Sequence, residues 1–288
     1  MAQEKPVDTL PDIDGETVGR FYDHLRANPL SAAALAHGEA YIGQECLLTP
    51  EEILTFAKAA GVTSGTAVLD LCSGTGGPAC HLAQQLGCHV VGIDISAVGH
   101  AQARARAQAQ GVTHLVQFQH GDVQTVEFPA AHFDVILGFD SWCHVPQRAH
   151  MLQRCATWLR PGGRLAFYDH VERQPFPPEQ CQAFYTLWHF PGLETPESYI
   201  ALVKAAGLHI TYEVETSAHA IRYYTALLDI YVARRAEFEA ARGVERYQEG
   251  LARLQMTQRF ASQRLLGQIG CIAEKPVEET RHARNRPH

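Results

Sequence analysis

Four aspartates and a histidine stand where a chain could hold a polar ligand and move a proton. Asp70 sits in the apolar run Val68–Leu71, which leads into Cys72-Ser73-Gly74-Thr75-Gly76-Gly77-Pro78. Gly74 and Gly76 permit a tight turn and let backbone approach a ligand without a Cβ in the way. Free N–H groups at the start of the following helix would hold an anionic or polar group. Asp94 ends the next apolar run, 20 residues after Gly74, where a carboxylate can accept both hydroxyls of a ribose. Asp122, in His120-Gly121-Asp122-Val123, could accept an adenine amino group. The run Phe133–Gly138 passes into an acidic turn, Phe139-Asp140, and His144 follows four residues later. Imidazole is the side chain best suited to take a proton from an amine or hydroxyl nucleophile near neutral pH.

These residues fall at the ends of regularly spaced elements. A helix over residues 50–60 is capped by Thr49, with Pro50 at its first position and Gly61 past its end. From Thr66 onward strands and helices alternate: strands at Ala67–Leu71, His89–Ile93, Leu115–Phe118, Phe133–Leu137 and Arg164–Tyr168, helices at Pro78–Leu86, Ala97–Gln110 and Arg148–Leu159. Apolar strands separated by helices imply a doubly wound α/β fold, with parallel strands buried on both faces. Ligands bind such sheets at the strands' carboxyl ends, where every one of the polar residues above lies. Pro196–Ala206 reads as a helix, His209–Glu215 as a sixth strand, residues 219–266 as helical throughout, and Gln268–Ala273 as a last strand. Ahead of the alternating region, Val18–Ala27 and Leu30–His37 read as helical pieces.

Together VLDLCSGTGG, VVGIDIS, HGDV, FDVILGFDS and LRPGGRLAFYD make residues 40–215 resemble class I S-adenosylmethionine-dependent methyltransferases. The resemblance implies a Rossmann-like, seven-stranded, mostly parallel sheet. It divides the chain into an N-terminal helical cover (1–48), a methyltransferase domain (49–276, with the helical insertion 219–266) and a disordered tail (277–288). It also implies S-adenosyl-L-methionine as cofactor and S-adenosyl-L-homocysteine as product. Asp70, Cys72, Gly74 and Gly76 would hold the methionine part. Asp94 and Ile95 would bind the ribose, Asp122 and Val123 the adenine, and Gly138 and Phe139 would flank the sulfonium. Tyr41 would belong to a segment folding over the cofactor. The family usually has glycine where this chain has Cys72, so that residue must keep φ negative or accept strain. The D-x-x-x-H-x-P-x-R segment Asp140–Arg148 is similar to that of the small-molecule branch, including sarcosine/dimethylglycine, phosphoethanolamine and rebeccamycin-sugar methyltransferases. By that likeness His144 and Asp169 would handle the substrate proton, with Trp142, His170, Trp188 and Tyr223 around the acceptor.

Composition narrows the partners. The net charge of −7 argues against a general nucleic-acid or anionic-membrane binder, which needs a basic field. The only basic concentration is Arg281, Arg284 and Arg286 in the tail. No run approaches the roughly 20 apolar residues that span a bilayer, and MAQEKPVDTL lacks the pattern of a secretory signal; a cytoplasmic enzyme is expected. The eight cysteines form no CxxC pair and show no zinc-ligand spacing, so no metal and no disulfide framework is expected. The expected activity is methyl transfer to nitrogen or oxygen of a small metabolite, with His144 as general base. Three alternatives stay open: C-methylation on the same fold, an NAD(P)-dependent oxidoreductase suggested by Gly74-x-Gly76-x-x-Ala79, and a non-catalytic cofactor-binding protein. The helical insertion could be a lid or a homodimer interface.

Overall fold

A computed structural model describes residues 10–28 and 30–277. The basic tail residues therefore lie outside the described residues. Seven strands form one sheet in the order β3-β2-β1-β4-β5-β7-β6. They are β1 (Ala67–Leu71), β2 (His89–Asp94), β3 (Val116–His120), β4 (Phe133–Phe139), β5 (Leu159–Glu172), β6 (His209–Glu215) and β7 (Leu266–Glu274). The first five are parallel, whereas β7 runs antiparallel to both β5 and β6. The strand order reverses between β1 and β4, the point where doubly wound sheets open a crevice at their carboxyl ends.

Alternating side chains build the core on both faces. Leu69, Leu71, Ile93 and Ile136 point to one face with Trp158 and Phe167, and Val68, Val90, Val135 and Leu137 to the other with Phe56 and Ala83. Helices α3 (Pro50–Ala59), α4 (Gly77–Leu86), α5 (Ala97–Ala109), α6 (Arg148–Trp158) and α8 (Pro196–Ala205) flank the sheet. Thr49 and Glu52 close a reciprocal capping box on α3, so the sequence signal for that helix start is realised in hydrogen bonds.

Several elements differ from the sequence expectation. β5 runs well beyond Arg164–Tyr168 because β7 pairs with it continuously from Arg164 to Glu172. Helix α7 (Pro178–Trp188), in a stretch to which the sequence reading assigns no element, is held by aromatic packing of Phe184 and Tyr185. The region after β6 is not one continuous helix. It breaks into α9 (Ser217–Ala233), α10 (Arg235–Arg242) and α11 (Val244–Ser262), the second break falling at Gly243 with φ +84°. These helices share a third hydrophobic cluster with α7, built on Phe184, Tyr231, Phe238, Tyr247 and Phe260. Ahead of the sheet, Asp14 caps α1 (Gly15–Arg26) and Ser31 caps α2 (Ala32–His37). No described helix is long and apolar enough to cross a membrane.

Candidate functional site

The carboxyl ends of the central strands open on a cavity. Asp70, Cys72 and Gly74 reach it from β1 and its turn, Asp94 and Ile95 from β2, Asp122 and Val123 from beyond β3, and Phe139 from β4. Asp70 is buried, its Oδ2 has no hydrogen-bond partner, and burial beside Asp94 pushes its carboxyl up to about 8. Such an oxygen is costly to leave unpaired, so the site is built for a donor brought by a ligand. Cys72 adopts φ +62° and Asp140 φ +50°, both in the left-handed region that disfavours a side chain. Of the two options open to Cys72, the chain takes the strained one. Both outliers lie at strand ends lining the cavity, where strain is characteristically kept.

Asp94 is fully engaged. Its Oδ2 accepts from the Gly74 N–H at 2.7 Å and its Oδ1 from the Ser96 N–H at 2.8 Å and from Arg26 Nη1 at 2.9 Å. Arg26, at the end of α1, is also paired with Glu45 at 2.6 Å. Asp122 accepts from the Gln124 N–H through Oδ1. Its Oδ2 faces the start of α1, where a Cβ on Gly15 would lie 2.6 Å away. A Cβ there would also lie 2.9 Å from Ile95 Cδ1, so glycine lets α1 settle over both side chains without displacing them.

A second cavity abuts the first under α7, α9 and α11. Tyr22, Glu45, Asp140 and His144 line both, so they form the wall where two ligands would meet. His144 Nδ1 lies 3.3 Å from the His189 carbonyl, which can only accept, so Nδ1 carries the proton. Nε2 is then an acceptor for the Tyr22 hydroxyl at 2.7 Å. Burial lowers the His144 pKa to about 3, holding the ring neutral, and raises that of the Tyr22 phenol. Asp140 accepts from the Leu47 N–H at 2.8 Å and from Gln268 Nε2 at 2.6 Å. His170 Nδ1 stands 3.5 Å from Asp140, and its Nε2 meets the Tyr224 hydroxyl at 2.6 Å. His170, Trp188 and Tyr223 all line this second cavity.

Other expected site residues are placed elsewhere. Trp142 is buried in the sheet core: its indole donates to the Leu71 carbonyl at 3.4 Å and covers Gly138, which must be glycine to admit the ring. Neither residue lines a cavity, and Gly138 serves packing. Asp169 is fully buried, accepts from Tyr199 at 2.8 Å, and lines neither cavity. It precedes His170 on β5, and neighbouring strand residues point to opposite faces. Gly76 packs under the Phe118 ring, and Tyr41 lines neither cavity. Cys143, Asp169 and His170 each offer one ligand atom, all within 4.8 Å, but burial holds the Cys143 thiol protonated. Sequence reasoning missed Tyr22, Arg26 and Glu45, and gave Asp140 no role of its own within the acidic turn it singled out. All eight cysteines are free thiols.

Comparison with known proteins finds methyltransferases. The family model described as a methyltransferase domain matches residues 68–163. The chain is 35% identical over 152 residues to the methyltransferase GfsG of Streptomyces halstedii, covering 52% of this chain and 55% of that protein. It is 29% identical over 189 residues to a sarcosine/dimethylglycine N-methyltransferase of Halorhodospira halochloris, covering 64% and 67%. The match thus spans about half the length of the first of these curated relatives. Among solved structures, Haemonchus contortus phosphoethanolamine N-methyltransferase 2, in complex with phosphomonomethylethanolamine and S-adenosylhomocysteine, superposes with a TM-score of 0.74 at 19% identity. That superposition covers 85% of this chain and 56% of that one.

Proposed function

We propose, from the match of residues 68–163 to a methyltransferase-domain family model, that the chain is S-adenosylmethionine-dependent and moves a methyl group from that cofactor to nitrogen or oxygen of a small-molecule metabolite. The observation that carries the reading is the shared wall: two cavities meet at Tyr22, Glu45, Asp140 and His144. The residues of the strand-end cavity fit the cofactor. The unpartnered Oδ2 of Asp70 suits its ammonium group, and Gly74 turns the chain at φ +58°, where a side chain would be strained. At Asp94 the ribose hydroxyls share or displace the Arg26 contact.

When bound, the cofactor supplies an electrophilic methyl on a sulfonium. The protein's share is to align the acceptor and accept its proton, since holding two reactants in line can supply roughly 7–11 kcal/mol. Tyr22 presents its phenolic oxygen at the junction, held by the lone pair of His144 Nε2. The His189 carbonyl fixes the ring so that this lone pair, not an N–H, faces the phenol. A ring lowered to about 3 holds a proton only transiently, so His144 would act through Tyr22, orienting the phenol, and the proton released by the acceptor would pass by way of Tyr22 and His144 Nε2 to bulk water. The aromatic walls of the second cavity, Trp188, Phe190, Tyr223 and Tyr224, exclude water from the junction.

Calorimetric titration with S-adenosylhomocysteine tests the first half, and turnover on a panel of amines and hydroxylated aromatics the second. Micromolar binding with methyl transfer to at least one acceptor is expected. No binding at millimolar ligand sinks the reading, and binding with no turnover on any acceptor turns it into that of a non-catalytic cofactor-binding protein.

A further inference from the structure

The second cavity is electrically polarised along its length. The end that meets the strand-end cavity carries Asp140 and Glu45, whereas Arg242 and Arg253 stand on the part shared with an outer cleft beside α1. Neither arginine forms an ion pair among the described residues. Arg253 lies 5.2 Å from the Phe21 ring and 5.0 Å from the Trp188 ring, and among the described residues its only hydrogen bond is a 3.5 Å contact to the Leu187 carbonyl. Arg242 donates Nη2 to the Leu30 carbonyl at 2.7 Å, while its Nε is buried with no partner. The Tyr231 hydroxyl, also lining this cavity, is buried without a partner of good geometry; it stands beside Arg242, whose pKa burial lowers while the phenol partly opposes that shift. Glu249, the one carboxylate on the outer cleft, is exposed and pairs with neither arginine.

Two half-buried guanidiniums side by side repel one another and lose hydration, and ring faces return only part of that cost. An arginine fork is shaped for a carboxylate or a phosphate, and charge-assisted bonds of that kind are strong. We propose that Arg242, Arg253 and Tyr231 form a subsite for the anionic group of the methyl acceptor, a carboxylate or phosphate, whose nucleophilic end reaches Tyr22 and Asp140. The assignment of this ligand as the acceptor rests on the proposed methyl transfer; the anion subsite itself does not.

The test is a titration with inorganic phosphate and, separately, with acetate, at constant ionic strength in chloride, followed by tryptophan fluorescence. Trp188 covers Arg253, while Trp142 and Trp158 are buried in the sheet core and give a constant background. A saturable change is expected for at least one anion, with affinity falling at least tenfold in R253M and further in R242M/R253M. A preference for phosphate or for acetate identifies the anion. R253K keeps the charge but loses the fork, and an intermediate affinity is expected; this variant also serves if the double variant fails to fold. S-adenosylhomocysteine affinity, measured in parallel, should be the same in R253M and the parent. No saturable response to either anion, or responses unchanged in R253M and R253K, overturns the subsite. Failure of the parent to bind S-adenosylhomocysteine while anion binding persists refutes the methyl-transfer reading and leaves the subsite standing.

Discussion

Replacing Asp70 with Asn should make the ligand-free protein more stable and the cofactor site useless. The carboxyl is fully buried, has one oxygen with no partner, and is pushed from its ordinary value of 3.8 to about 8. A carboxyl whose folded pKa lies above its unfolded one favours the fold most at low pH. That contribution is lost as the pH rises from the ordinary carboxylate range to about 8. At pH 7 the folded protein must keep a proton that the unfolded chain releases, a cost of about 4 kcal/mol at about 1.4 kcal/mol per pH unit. Asn removes that cost but brings an amide needing partners of its own, at about 1–2 kcal/mol. The net gain is then about 2–3 kcal/mol, or roughly 4–10 °C in Tm. In the parent, only the ionised carboxylate can hold an ammonium, so S-adenosylhomocysteine affinity should rise about 50-fold between pH 6 and pH 8. Differential scanning fluorimetry gives the first quantity and calorimetry across pH the second. A D70N protein that melts no higher than the parent, or binds S-adenosylhomocysteine as tightly, refutes the reasoning.

Three further outcomes are expected. Cys72→Gly relieves the positive φ at that turn and should raise stability by about 1 kcal/mol, read by urea denaturation; a lower midpoint would show that the thiol's packing outweighs the strain. Asp94→Ala should weaken S-adenosylhomocysteine by at least tenfold, about 1.4 kcal/mol, and unchanged affinity by calorimetry would remove Asp94 from the ribose. Tyr22→Phe and His144→Ala should each lower kcat by about 10²–10⁴-fold with cofactor affinity intact; equal turnover in either variant would reduce the pair to packing.

The strand-end half of the site was legible because its signals are local. Asp70, Gly74, Asp94 and Asp122 each close or follow an apolar run, and a parallel sheet brings such ends together whatever the details of its packing. The acceptor half was not. Tyr22 meets His144 across 122 residues, and nothing in a helical pattern distinguishes a tyrosine that reaches a cleft from one that packs. Asp169 and His170 are neighbours on β5 and differ by one step of the pleat, so only the sheet's register decides which faces the cavity. Trp142 looked like a wall residue from its place after Asp140, yet its ring turns back over Gly138 into the core. Arg242 and Arg253 lie on helices whose breaks at Arg234 and Gly243 are tertiary features.

The hydrophobic cluster of α7 and α9–α11 is separate from the two clusters that sandwich the sheet. Elements with their own core open as a unit, at a free energy below that of global unfolding. Amide protons of α9–α11 should therefore exchange together and ahead of those in β1 and β4. The same partition divides the labour of divergence. Substitutions that repack the roof can alter which acceptor is admitted while Asp70, Asp94 and Asp122 stay seated on strands that take no part in the change. On the proposed methyl-transfer reading, acceptor preference can thus drift quickly over a cofactor cleft that is held still.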